Sequence, residues 1–174
     1  MQDFENPDAV NPFVKTTQII VMALVFGVFG FLMVAMMIGH RDQAREWGPL
    51  GMVAAGLAPI SIVTGRWFAS VFLKQVKAQL LGTAEGAASS ATDEEHVTFA
   101  RSLQTTTIII CGAIEGAAMV NVVVVLMSGH QINLFAALGL LVVIGLHFPT
   151  QARAENWIAN QRQQLEEERQ VKSF

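Results

Sequence analysis

Long windows without fixed charge alternate along this chain with short stretches where charge collects. Four windows stand out: residues 16–38, 49–65, 105–127 (interrupted by one acid) and 132–148. An α-helix needs about 20 predominantly apolar residues to cross a hydrocarbon core of about 30 Å. The pattern therefore predicts an all-α protein, a four-span transmembrane helical bundle of two tandem helical hairpins with cytosolic helical extensions.

Taken in order, residues 1–15 read as a polar arm, where Pro7 and Pro12 disfavour helix. The first span is expected over 16–39, opened by Thr16 or Thr17 and closed by Gly39. Residues 40–48 form a polar outer loop. The second span covers 49–66, with Pro49 in its first turn. Sixteen charge-free residues rise only about 24 Å, so Arg66 should snorkel and the helix extend to about residue 81. Pro59 inside it is expected to kink the helix and leave the carbonyl near Ala55 without its usual donor.

Residues 67–104 read as a cytosolic helical segment with a small-residue linker at 82–92. Thr92 with Glu95 three residues on has the form of a capping box. The third span is expected over 105–128, an outer loop at 129–131, and the fourth span over 132–148, stopped by Pro149. The tail, 149–174, is a cytosolic C-terminal helix. Its narrow apolar stripe of Trp157, Ile158, Gln161 and Leu165 suits packing on the membrane or on the middle segment.

Composition agrees with a membrane bundle. Charged residues make up 14% of the chain, against about 25% in soluble domains. The net charge of −3 carries no nucleic-acid signal, and the single cysteine, Cys111, excludes an intrachain disulfide. The N-terminal stretch lacks the basic region of a cleaved signal, so the first span reads as retained. With four spans, one side holds Lys15, Arg66, Lys74, Lys77, Arg101, Arg153, Arg162, Arg169 and Lys172, and the other only Arg41 and Arg45. The positive-inside rule then makes both termini cytoplasmic, and the expected location is a bacterial inner (plasma) membrane.

The first and third spans share a pattern. Shifted by 89 positions, Thr16, Thr17, Ile19, Ile20, Gly27 and Val34 match Thr105, Thr106, Ile108, Ile109, Gly116 and Val123. Phe26 falls opposite Glu115 in that alignment.

Glu115 is the residue with chemistry. An acid at a span centre costs about 2.5–3.5 kcal/mol on insertion scales, which ten Ile, Val and Leu residues of the same span offset. It is expected near mid-membrane, facing the bundle interior with no Lys or Arg at its depth, and so holding its proton. Two roles fit: a proton or cation site, or a neutral hydrogen-bonding carboxyl that pins helices. Gly112 and Gly116 form GxxxG beside it and predict close helix packing. Ser61 and Thr64 are candidate donors from the second span, and Asn121 a candidate helix-packing group. His40 and His130, with Asp42 and Glu46, read as solvated helix ends, so no metal centre is expected. No phosphate loop, zinc spacing or nucleophile–base pair occurs, so neither an enzyme nor a cofactor is expected.

Two resemblances add to this. AIEGAAMVNVVVVLM looks like the acid-bearing helix of ATP-synthase and vacuolar-type proteolipid (c) subunits, which implies ion translocation through Glu115. Here the acid lies on the first helix of its hairpin, whereas proteolipids carry it on the second. The QTTTIII…EGAAMVN pattern after a soluble helix is similar to uncharacterised small four-span membrane proteins of bacteria, which implies a membrane location. The expected function is a non-enzymatic structural or assembly subunit contacting lipid, and itself or other membrane subunits, with proton or cation translocation by Glu115 as the alternative.

Overall fold

The computed structural model describes residues 11–38, 49–83, 91–129 and 131–172. The expected outer loop 40–48, most of the linker, Gly39, His40 and His130 lie outside these. Among the described residues there are five helices and no strand: α1 (Asn11–Ile38), α2 (Pro49–Thr83), α3 (Ala91–Ser128), α4 (Gln131–Leu146) and α5 (Gln151–Lys172). Three of them, α1, α2 and α3, contain stretches long and apolar enough to cross a membrane. The 16 residues of α4 rise about 24 Å, and it reaches the required length only when joined to α5, so the number is three to four.

The helices sort into two compact units. One comprises residues 19–68 and 108–148, the other residues 1–18, 69–107 and 149–174.

In the first unit a stripe from each helix is buried. From α1 come Val21, Val28, Leu32 and Ala35. From α3 come Cys111, Ile114, Ala117, Ala118 and Val122, and from α4 Ala137, Leu140 and Ile144. Val21, Val28 and Ala35 recur every seven residues, the spacing that keeps one helix face on a neighbour. The contribution of α2 is a line of small residues: Gly51 and Ala54 are buried, and Ala58, Ser61 and Gly65 continue it at intervals of three or four. The outside of this unit is apolar. Phe26, Val63 and Phe135 are each more than 60% exposed, an inversion that a water-facing surface does not sustain over whole helices.

The second unit is built the ordinary way round. Val14, Phe99, Ala100, Ala154, Ile158 and Leu165 form its core, with Leu80, Leu81, Leu103 and Trp157 against it. Lys15, Lys74, Arg101, Arg153 and Glu155 are exposed. α5 runs antiparallel to the start of α3: Gln104 lines a small void with Pro149 at one end, and Glu95 pairs with Arg169 at the other. Lys77 of α2 donates to Gln164 of α5 at 2.7 Å. The tail helix thus packs on the middle segment along its expected stripe, extended by Ala154.

Local signals explain the ends. Helix α1 starts at Asn11 rather than after the two prolines, because Pro12 falls in its first turn, where an N–H has no intrahelical partner to lose. α2 continues through Pro59 to Thr83. Gly129 adopts φ 65° and its N–H bonds to Val125 O at 2.8 Å, the left-handed cap that turns α3 tightly toward α4. Thr150 opens α5, its Oγ1 accepting from Arg153 N.

Candidate functional site

Two sets of polar side chains in the first unit stand out, one inside the bundle and one at its margin. Inside, Asn121 of α3 and Asn133 of α4 are both fully buried. Asn121 Nδ2 donates to Ala54 O of α2 at 3.0 Å and to Ala117 O one turn back at 2.8 Å. Asn133 Nδ2 donates to Gly51 O of α2 at 3.0 Å and to Asn121 Oδ1 at 2.8 Å. All four amide protons are therefore used, and the pair ties three helices together. The two carbonyls that receive them lie on the small-residue line of α2, where no bulky side chain keeps an asparagine away from the backbone. Of the polar atoms of these two side chains, Asn133 Oδ1 is buried without a partner among the described residues.

Close helix contact is made further along the same line. A Cβ on Gly65 would stand 3.2 Å from Ala113 Cβ and 3.3 Å from Ile110 Cα. A Cβ there would sit tighter than ordinary van der Waals contact, so the approach favours glycine. Gly112 and Gly116, the GxxxG pair, are instead exposed, and nothing lies within 4 Å of where their Cβ atoms would be. α2 docks on the Ile110–Ala113 side of α3, and the glycines face away from it.

At the margin of the bundle is Glu115, one turn from the fully buried Cys111 and Ala118. The sequence led us to expect it in the interior beside Ser61 and Thr64. It is only half-buried, and among the described residues its carboxyl has no hydrogen bond or ion pair. Two residues separate it from Ala113, which is about 200° round the helix, so the face that meets α2 cannot also carry Glu115 toward α2. Ser61 Oγ donates to Ala58 O of its own helix at 2.8 Å, and Thr64 is half-buried. The Gly65 contact also brings Arg66 to the level of about Ile110, within two turns of Glu115, so a cation does lie near the depth of the acid. Arg66 is exposed and likewise unpaired among the described residues.

The threonines that align between the first and third spans behave alike. Thr16 and Thr17 donate to Pro12 O and Phe13 O, and Thr105 and Thr106 to Arg101 O and Ser102 O, each four residues back. Thr17 and Thr106 are both buried. Phe26, aligned with Glu115, is exposed.

Sequence reasoning missed Asn133 and Gly65. The signal for Asn133 was a second asparagine twelve residues after Asn121, across a tight turn, in an otherwise apolar run. In the second unit it also missed that Glu95, 8% exposed, holds Arg169 across the α3–α5 interface. None of three comparisons, with protein-family models, with curated proteins and with solved structures, gives a match for this chain.

Proposed function

We propose that the protein is a non-enzymatic integral membrane subunit that assembles with other membrane helices through the exposed face of α3. In this reading the unit of residues 19–68 and 108–148 lies in the bilayer as four spans, in two tandem hairpins. The other unit, with both termini and eight of the eleven Lys and Arg residues, is cytoplasmic, and the membrane is a bacterial plasma membrane. The rise from Ile108 to Ser128 is about 30 Å, which matches a hydrocarbon core. Glu115 then sits about 10 Å below the cytoplasmic edge, shallower than the mid-membrane position expected from sequence.

The observation that carries the reading is the state of that face. An acid without a partner among the described residues stands between two glycines with open space over both. A carboxyl turned to hydrocarbon is costly, and small residues around it admit a second backbone closely enough to cover it. The asparagine pair spends all four of its amide protons within the chain.

The test is mass. Purified into lipid nanodiscs, the protein should run as an assembly of several chains, and Gly112→Leu with Gly116→Leu should reduce it to single chains that keep their helicity. A wild-type protein of single-chain mass at membrane-like density would sink the proposal. Carbodiimide labelling of Glu115 that abolishes a measured proton flux would instead favour the translocating alternative.

A further inference from the structure

The unit of residues 19–68 and 108–148 holds, among its described residues, one permanently charged base and one acid. They are Arg66 and Glu115. Neither has a hydrogen bond or ion pair among the described residues; Arg66 is exposed and Glu115 half-buried. Both lie toward the same end of the unit, Arg66 two residues from its edge at Phe68 and Glu115 seven from its edge at Ile108. Packing of Gly65 on Ile110 and Ala113 fixes their relative level: along the helix axes they differ by about 7 Å. An arginine and a glutamate side chain together span that distance.

They cannot meet within one chain. Glu115 is on the side of α3 turned away from α2, while Arg66 is about 100° round α2 from Gly65, which faces α3. The base and the acid therefore mark two different faces of the unit. Near the base is Val63, 68% exposed; beside the acid are Gly112 and Gly116 with nothing over them.

We propose that the partner of the Glu115 face is a second copy of this chain, whose Arg66 reaches Glu115 of its neighbour. This rests on the assembly reading above and names its partner. Copies related by rotation about the membrane normal keep their depths, so a level match within one chain is a level match between chains. Because the two faces differ, the contact is head-to-tail, and such contacts close into rings of three or more rather than two-fold dimers. An ion pair screened from water by the surrounding spans satisfies both charges, which are unpaired among the described residues of each chain.

The experiment starts from Cys111→Ala, which removes the sole thiol. Arg66→Cys and Glu115→Cys are introduced singly and together, and membranes are treated with a mild oxidant or a short bismaleimide. The double variant should give a ladder reaching three chains and beyond, and each single variant none. Singles that cross-link to themselves would replace the head-to-tail contact with a two-fold one and overturn the proposal. No ladder from a double variant that itself keeps multiple-chain mass in nanodiscs would overturn the Arg66–Glu115 contact and leave assembly standing. A wild-type protein of single-chain mass would overturn both. As a second measurement free of thiols, Arg66→Glu and Glu115→Arg should each lose the assembly alone and regain it when co-expressed. Failure to regain it, with both variants helical and membrane-inserted, counts against the pair.

Discussion

The asparagine pair allows a quantitative test of what joins α2, α3 and α4. Asn133→Ala removes two bonds between helices, to Gly51 O and to Asn121 Oδ1, and leaves that Oδ1 buried without a donor. Asn121→Ala removes two as well, to Ala54 O and from Asn133, and strands one Asn133 amide proton. Interhelical hydrogen bonds in membrane bundles average about 0.6 kcal/mol. Each single change should thus cost about 1.2 kcal/mol from lost bonds; Asn121→Ala adds about 1–3 kcal/mol for the stranded amide, whereas Asn133→Ala exchanges one stranded oxygen for another, its own Oδ1 having no partner. The double variant loses three bonds, about 1.8 kcal/mol, and strands no asparagine atom. It should therefore be no worse than Asn121→Ala and well below the sum of the two single effects, with a coupling of at least about 1 kcal/mol. Reversible unfolding in mixed detergent–lipid micelles, followed by helicity, reads all four corners of the cycle. Additive single effects, within about 0.3–0.5 kcal/mol, would show that the two amides do not act on each other and would refute the network.

Other expectations follow from single contacts. At Gly65, alanine gains up to about 1 kcal/mol of helix propensity but must press on the Ile110 backbone, while leucine cannot fit. Gly65→Leu should part α2 from α3 and destabilise by more than Gly112→Leu in the same micelle unfolding assay. Arg169→Met leaves the buried Glu95 carboxylate alone and should cost about 1–3 kcal/mol, less than a fully buried pair because Arg169 is about a third exposed. Faster amide exchange along α5 would record it, and Glu95→Leu with Arg169→Leu should restore protection. Gly129→Ala forces a Cβ into the left-handed region and should cost about 1–2 kcal/mol, seen as a lower unfolding midpoint.

Helix identity and the split between apolar and charged segments were legible because both follow from one-dimensional pattern. Val21, Val28 and Ala35 announce a buried face by spacing alone, and Ile158 and Leu165 do the same in the tail. What pattern could not supply is which face meets which helix. GxxxG at Gly112 and Gly116 reads as a contact, yet any exposed strip of small residues reads the same. The strip that is used, from Gly51 to Gly65 on α2, is spread over four turns and broken by Pro59, so no short motif picks it out. Glu115 was drawn inward by the rule that intramembrane acids face a bundle interior. That rule concerns the assembled protein, and a single chain need not contain the interior in question. Pro12 was misjudged because a proline's effect depends on its position in the helix, and it occupies the first turn, where it costs nothing.

The bond from Asn133 to Asn121 spans the turn at Gly129, and it has a meaning for biogenesis. A chain emerging from its N-terminus presents α1 and α2 first, then α3 carrying Asn121, and the matching amide on α4 only at the end. Until α4 arrives, Asn121 Oδ1 has no donor and Gly51 O has no visitor. The contact among α2, α3 and α4 can therefore be latched only after α4 has been delivered. On the membrane reading proposed above, a nascent chain stalled after Ser128 would hold an open polar group in the bilayer, the kind of mark by which a cell's quality-control machinery can tell an unfinished membrane protein from a finished one.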